Sequence, residues 1–317
     1  MKREKNMRTK GLSAGLCLIA LAVAGLFFSR GNDFTPPGRE NRAGIESPVP
    51  EAPADRPEPT EDEKTPPAEE AEEKPREEKK KLPPGPYVAV VIDDFGFSKA
   101  ITDGYEKLSL PLTWAVIPFQ SHSSYVADRA EAAGIPYMIH MPMGAGGDKK
   151  WDKKTGVIDA GMEPETVSAL VKRAVESLPG AQGMNNHRGS RATRDGALME
   201  TLMDELASTS LFFLDSRTAS DSVAYKTARA KGVRAAFCSI FLDHEPSEEF
   251  MESQLERGVK LASKRGWVVM IAHARPKTLE FLTKYDKEDW GATLVTMPEL
   301  MDILWNRDDM SSKKESS

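Results

Sequence analysis

Among the 317 residues are five histidines, and four of them, His140, His187, His244 and His273, stand at or just beyond the ends of short apolar runs rich in β-branched residues. Acids and amides share those positions. Asp93 and Asp94 follow the first run, Asn185 and Asn186 precede His187, Asp215 ends a fifth run, and Asp243 precedes His244. Two imidazoles and one carboxylate meeting at a point make a site for zinc or a similar divalent ion, with a position left open for water. Such an ion lowers the pKa of that water and polarises a carbonyl, while an unliganded carboxylate takes the water's proton, which is the chemistry of amide or ester hydrolysis. Without an ion, Asp93, Asp94 and Asp215 would suit the acid and base of a glycoside hydrolase, their separation deciding the stereochemistry.

Each member alone has a plainer reading. One aspartate at a strand end is a ready N-cap for the following helix. One histidine in an apolar run is more often a satisfied core residue than a ligand. Asn185 and Asn186 are poor strand formers, which a bulge or turn also accounts for. Two adjacent aspartates are harder to dismiss, because neighbouring carboxylates repel unless a cation or proton lies between them. His122, the fifth histidine, opens a helical stretch and reads as capping or exposed. The joint occurrence of the others at equivalent positions argues for a site.

Several other chemistries are excluded. Neither a Gly-x-x-x-x-Gly-Lys-Ser/Thr phosphate loop nor a Gly-x-Ser-x-Gly elbow occurs. The two cysteines, Cys17 and Cys238, exclude an internal disulfide framework and a cysteine-rich zinc site. A net charge of −6 argues against nucleic acid as a partner, since a phosphate reader displays a basic surface.

The elements that must position these residues alternate. Strand-like runs lie at 87–92, 113–117, 136–140, 183–187, 211–215, 233–237, 267–273 and 292–296. Helical patterns at 99–108, 123–133, 164–178, 195–207, 222–231, 248–264 and 276–282 separate them, with 298–305 closing. Alternation of this kind implies parallel βα units, and the number of strands favours a (β/α) barrel of seven or eight parallel strands over a doubly wound sheet. In parallel folds ligands sit at the carboxyl ends of the strands, where all the residues above fall.

Outside this barrel domain, 87–306, the composition changes. Residues 1–30 hold an apolar run at 11–28 preceded by Lys2, Arg3, Lys5, Arg8 and Lys10 with only Glu4 opposing them, the pattern of a transmembrane anchor or signal whose N-terminus stays cytoplasmic. The expectation is therefore a protein exported or anchored in the inner membrane, with the barrel outside the cytoplasmic membrane, in the periplasm or at the cell surface. Residues 31–86 are dominated by Pro, Glu and Lys, and 11 of the 22 prolines lie between Pro48 and Pro86, so this segment reads as a disordered linker. Residues 307–317 form a polar tail.

The order of short motifs carries a resemblance. Val91-Ile92-Asp93-Asp94-Phe95-Gly96, Ala115-Val116-Ile117-Pro118-Phe119, His140-Met141-Pro142-Met143, Asn185-Asn186-His187-Arg188-Gly189-Ser190-Arg191, Phe213-Leu214-Asp215-Ser216-Arg217-Thr218, Phe241-Leu242-Asp243 and Ile271-Ala272-His273 ahead of Pro276 together resemble the divergent polysaccharide deacetylases, relatives of the chitin and peptidoglycan deacetylases. The resemblance covers the domain from about Tyr87 to Trp305 and implies a (β/α) barrel that binds a divalent metal. In the better-known deacetylases an Asp-Asp pair supplies a base and a ligand, and a His-x-x-x-His motif supplies the other two ligands. Here Gly144 stands where the second of those histidines would be, and His187 replaces it from the next strand. The resemblance thus implies Asp94, His140 and His187 as ligands, Asp93 as base and His273 as the acid toward the leaving amine, with Asp215 orienting His273 or acting as a further ligand.

These readings converge on a metal-dependent hydrolase removing N-acetyl groups from a cell-envelope polysaccharide such as peptidoglycan. Asn185, Asn186, Arg188, Arg191 and Arg217 are the candidate substrate-binding residues, the arginines through an anionic substrate or the oxyanion. The alternative is a non-catalytic barrel that binds glycan or an envelope partner.

Overall fold

The computed structural model describes residues 84–148 and 156–315, with side chains to residue 306. The apolar run at 11–28 and the spacer up to residue 83 lie outside the described residues. No helix among the described residues is long and apolar enough to cross a membrane.

Strands β1 (Tyr87–Phe95), β2 (Leu112–Val116), β3 (Tyr137–Met143), β4 (Gly183–Arg188), β5 (Phe212–Asp215), β6 (Ala235–Phe237), β7 (Ile240–Phe241), β8 (Trp267–His273) and β9 (Thr293–Val295) alternate with helices α1 (Lys99–Tyr105), α2 (Ser123–Ala133), α3 (Pro164–Ser177), α4 (Gly196–Ala207), α5 (Ala224–Ala230), α6 (Glu248–Arg265), α7 (Pro276–Tyr285) and α8 (Met297–Glu315). Every strand pairing is parallel, in the order β6-β5-β4-β3-β2-β1-β8-β7, with β9 added beside the start of β1. All eight anticipated strands form. The ninth, β7, escapes a search for apolar runs because it is two residues long and separated from β6 only by Cys238 and Ser239.

That separation changes the expected architecture. Instead of a ring closed by hydrogen bonds, the sheet is a curved, open half-barrel whose edge strands β6 and β7 do not pair. The chain itself spans the seam: Cys238 N donates to Asp215 O on the β5 side (2.8 Å), and Ser239 N donates to Val269 O on the β8 side (2.9 Å).

Alternation along each strand divides the apolar residues into two cores. Val88, Val90 and Ile92 of β1, with Trp114 of β2 and Ile139 of β3, face the helices, whereas Ala89, Val91, Ala115, Met138 and Leu214 face the concave side. Helical spacing supplies the other half of the outer core. Val167, Leu170, Val171 and Ala174 of α3 and Leu198, Met199, Leu202, Met203 and Leu206 of α4 recur every three or four residues and are all buried. Side-chain caps begin several helices: Ser98, Asp195 and Ser247 accept from the backbone N–H groups of Ile101, Leu198 and Phe250. Pro164 and Pro276 sit at the first turns of α3 and α7, where a missing N–H costs nothing. His122 precedes α2 without capping it through its side chain.

Candidate metal centre

In a regular strand, Asp93 and Asp94 would point to opposite faces. Between Ile92 and Phe95 the register of β1 against β2 slips, and Asp94 takes a left-handed backbone, φ 68°. Phe95 then returns to the helix-facing side with Ile92. The bulge inserts one residue, which is how a strand re-aims a side chain. It allows two adjacent carboxylates to serve the same mouth.

Register supplies the rest. His140 of β3 lies opposite Asn185 of β4, and Asn185 and His187, two apart, share one face of β4. As a result His187 Nδ1 is 2.9 Å from Asp94 Oδ1, His140 Nε2 is 3.3 Å from the same oxygen, and the two ring nitrogens are 3.1 Å apart. Three ligand atoms, each about 2.1 Å from a tetrahedral zinc ion, would stand about 3.4 Å from one another. The observed triangle is slightly smaller than that.

The surrounding hydrogen bonds fix which atoms are free. Asn185 Nδ2 donates to Asp93 Oδ1 (2.9 Å) and Ser216 Oγ (3.3 Å), so its Oδ1 is the acceptor for His140 Nδ1 at 2.8 Å. With its hydrogen on Nδ1, a neutral His140 presents the Nε2 lone pair to the cluster, the arrangement by which outer partners orient a ligating imidazole. Asp94 Oδ1 is buried and makes no hydrogen bond, one of two such side-chain atoms among the described residues; the other is Trp114 Nε1. An orphaned carboxylate oxygen facing two imidazole nitrogens is a donor set that a divalent cation satisfies. The residues present fit such an ion, and His140 (2% exposed), His187 (29%) and Asp94 (28%) leave its open side toward solvent.

Electrostatics follows from the same contacts. Burial opposes ionisation of Asp94, but the two imidazoles outweigh it and hold the carboxyl well below the ordinary range. Burial pushes the Asp93 carboxyl up, against the pull of His140, His273 and the Asn185 amide. For His140 burial alone would lower basicity, yet Asp93 and Asp94 reverse it.

His273 ends β8 beside Asp93, its register partner. Its Nδ1 donates to Asp243 Oδ1 (2.7 Å) and its backbone N to Asp243 Oδ2 (2.9 Å), while Thr278 Oγ1 donates to Oδ2 (2.6 Å). Burial lowers the basicity of His273, and the bond to Asp243 more than restores it. The orienting acid is therefore Asp243 and not Asp215. Asp215 Oδ1 accepts from Arg217 N (2.8 Å), and Oδ2 accepts from Ser222 Oγ (2.8 Å) and Tyr225 N (3.2 Å), so its carboxylate is consumed in tying β5 to the start of α5.

The anticipated substrate-binding residues each have contacts within the chain. Asn185 braces Asp93 and His140. Asn186, on the opposite face, donates to Arg188 O (2.7 Å) and accepts from Ser216 N (2.9 Å). Arg188 pairs with Asp148 (2.6 Å), Arg191 grips Asp159 through Nε (2.9 Å) and Nη2, and Arg217 lies over the Phe237 ring at 3.5 Å. The Arg191 pair also explains Gly144. A Cβ there would stand 1.9 Å from Asp159 Oδ1, so the place of the missing second histidine is filled by the carboxylate that Arg191 holds.

A family model described as divergent polysaccharide deacetylase matches residues 90–301, the whole sheet except the first rungs of β1, together with the first turn of α8. The chain belongs to the divergent polysaccharide deacetylase family. Over 195 residues it is 35% identical to an uncharacterized protein of Haemophilus influenzae, covering 62% of this chain and 69% of that one. Over a stretch of the same length it is 30% identical to the uncharacterized protein YibQ of Escherichia coli, and it spans 60% of that relative's length. Among solved structures, an uncharacterized protein of Agrobacterium tumefaciens has the same fold, with a TM-score of 0.63 at 19% identity over 67% of this chain and 87% of that one. Within the family frame, the sequence motifs had missed Asp243 as the partner of His273. The available signal was an acid closing an apolar stretch, Phe241-Leu242-Asp243, immediately ahead of another helix.

Proposed function

We propose that this deacetylase-family chain is a metal-dependent hydrolase, with zinc as the ion, that removes N-acetyl groups from a cell-envelope polysaccharide of the peptidoglycan kind. The observation that carries the reading is the meeting of Asp94 Oδ1, His140 Nε2 and His187 Nδ1 around an oxygen with no hydrogen bond of its own. A bound zinc ion would supply an activated water and polarise the acetyl carbonyl. Asp93 is the base: its Oδ2 lies 3.6 Å from His140 Nε2, Asn185 fixes its other oxygen, and burial makes the carboxyl readier to accept a proton. His273, its Nδ1 proton held by Asp243, keeps Nε2 for delivering a proton to the departing amine.

The basic flank and apolar run at 11–28 support export or anchoring, with the domain outside the cytoplasmic membrane and the proline-rich spacer extending its reach to a polymer that does not diffuse. The filled position at Gly144 favours a second reading, a barrel that binds glycan without turnover. Metal analysis of the full-length protein and acetate release from an N-acetylated glycan separate the two. The hydrolase reading expects about one divalent ion per chain and acetate release lost in Asp93→Asn and His187→Ala; glycan binding with neither ion nor acetate would establish the binding module.

A further inference from the structure

Backbone strain in the described residues gathers around the mouth. Four non-glycine residues have left-handed φ, namely Asp94 (68°), Phe119 (66°), Arg188 (59°) and Arg217 (49°), and they lie at or just beyond the ends of β1, β2, β4 and β5. The bulge explains Asp94. A bulky aromatic in this region is an outlier that its surroundings must enforce. Phe119 is 44% exposed, and the other large exposed hydrophobic among the described residues is Phe97, at 57%.

These two rings belong to one unit. Phe97 lies three residues beyond Asp94 in the loop leaving β1, and Phe119 lies in the loop leaving β2. Ile117 N donates to Phe95 O (2.9 Å) and His122 N to Gly96 O (3.0 Å), so the loops are tied to each other. Gly96 has φ 125°, a backbone that other residues rarely adopt, and a Cβ there would come within 3.1 Å of Gln120 Cβ. The Arg173 guanidinium, 5.1 Å from the Phe119 centroid, supports one side of that ring.

We propose that Phe97 and Phe119 form an aromatic shelf holding a neighbouring pyranose unit of the glycan chain while another unit is placed at the metal centre. The assignment rests on the deacetylase reading. A pyranose ring has an apolar face of C–H groups and a polar edge, and stacking on a phenyl ring leaves that edge to water. Two rings on a braced rim, beside an otherwise polar mouth, suit a chain of such units. A lipid surface or protein partner would call for a contiguous apolar patch, and no further large hydrophobic among the described residues is exposed.

The test compares full-length wild type, Phe97→Ala, Phe119→Ala, the double variant and Phe119→Trp on N-acetylglucosamine and its linear pentamer, by calorimetric binding and by acetate release. The shelf predicts that wild type prefers the pentamer and that each alanine weakens the pentamer about three- to tenfold, with affinity for the monomer unchanged. Phe119→Trp should keep the preference. Pentamer binding without acetate release would remove the hydrolase reading yet leave the shelf, provided the alanines erase the length preference. Unchanged length preference in the double variant overturns the shelf alone. Failure of wild type to bind either sugar overturns both.

Discussion

Asp94 and Asp215 both stand at the carboxyl end of a parallel strand, both are followed by a loop into a helix, and they have opposite fates. Asp215 is buried and its oxygens accept two backbone N–H groups and a hydroxyl, all from the loop and helix after β5. Asp94 is turned by a bulge toward β3 and β4, where its buried Oδ1 meets nitrogen atoms and no fitting hydrogen. Position at a strand end is therefore not what makes an acid chemical. Counting the donors that reach it separates a structural brace from a group still wanting a partner.

The largest effect expected from this contrast is on the ion. Asp94→Ala should leave purified protein with less than about a tenth of the wild-type divalent metal by elemental analysis, and cut acetate release by about a thousandfold or more. Metal retained at full stoichiometry would erase the distinction between the two aspartates. Asp93→Asn sharpens it from the other side: metal should stay bound while acetate release falls roughly a hundredfold to ten-thousandfold, measured at saturating glycan. Next comes Gly144→Ala, whose Cβ would strike Asp159 and break the Arg191 pair; chemical denaturation should register a loss of about 2–3 kcal/mol. For Asp215→Ala the expected loss is about 1–2 kcal/mol in the same assay, with ion content unaltered.

The smallest effect concerns pH. His273 is raised above its ordinary 6.5 and Asp243 is held below its ordinary 3.8. The stability contributed by raising His273 is complete below pH 6.5 and is lost as pH climbs through its elevated value. That contributed by Asp243 is present above 3.8 and is lost as pH falls through its lowered one. As pH rises above 6.5, wild type should thus lose stability that Asp243→Asn does not lose, a difference visible as converging melting temperatures.

Much of the scaffold was legible because burial on one or both faces writes a period into the chain: every anticipated strand formed, and the α2 range coincides with its pattern at 123–133. The site residues Asp93, Asp94, His140, His187 and His273 were findable as polar groups ending apolar runs. What was hidden depends on contacts distant in sequence. Asp243 reaches His273 across 30 positions only because β7 lies beside β8. Asn185 looked like a substrate contact, since an amide's partners cannot be read from its neighbours; here they are Asp93 and His140, 92 and 45 positions away. The partners of Arg188 and Arg191 were hidden for the same reason, Asp148 and Asp159 lying 40 and 32 positions away on another loop. The bulge at Asp94 is a backbone angle, and side-chain types carry little trace of it.

The crossing at Cys238 and Ser239 gives the molecule a line of weakness. Elsewhere around the sheet each strand is zipped to its neighbours along several rungs, but here adjacent amides bond to opposite sides. Pulling the β5 and β8 sides apart would load this backbone crossing and the Phe237–Trp267 ring contact (5.3 Å) rather than shear a ladder. A circular permutant nicked at that point, with the old termini joined, would gape there first.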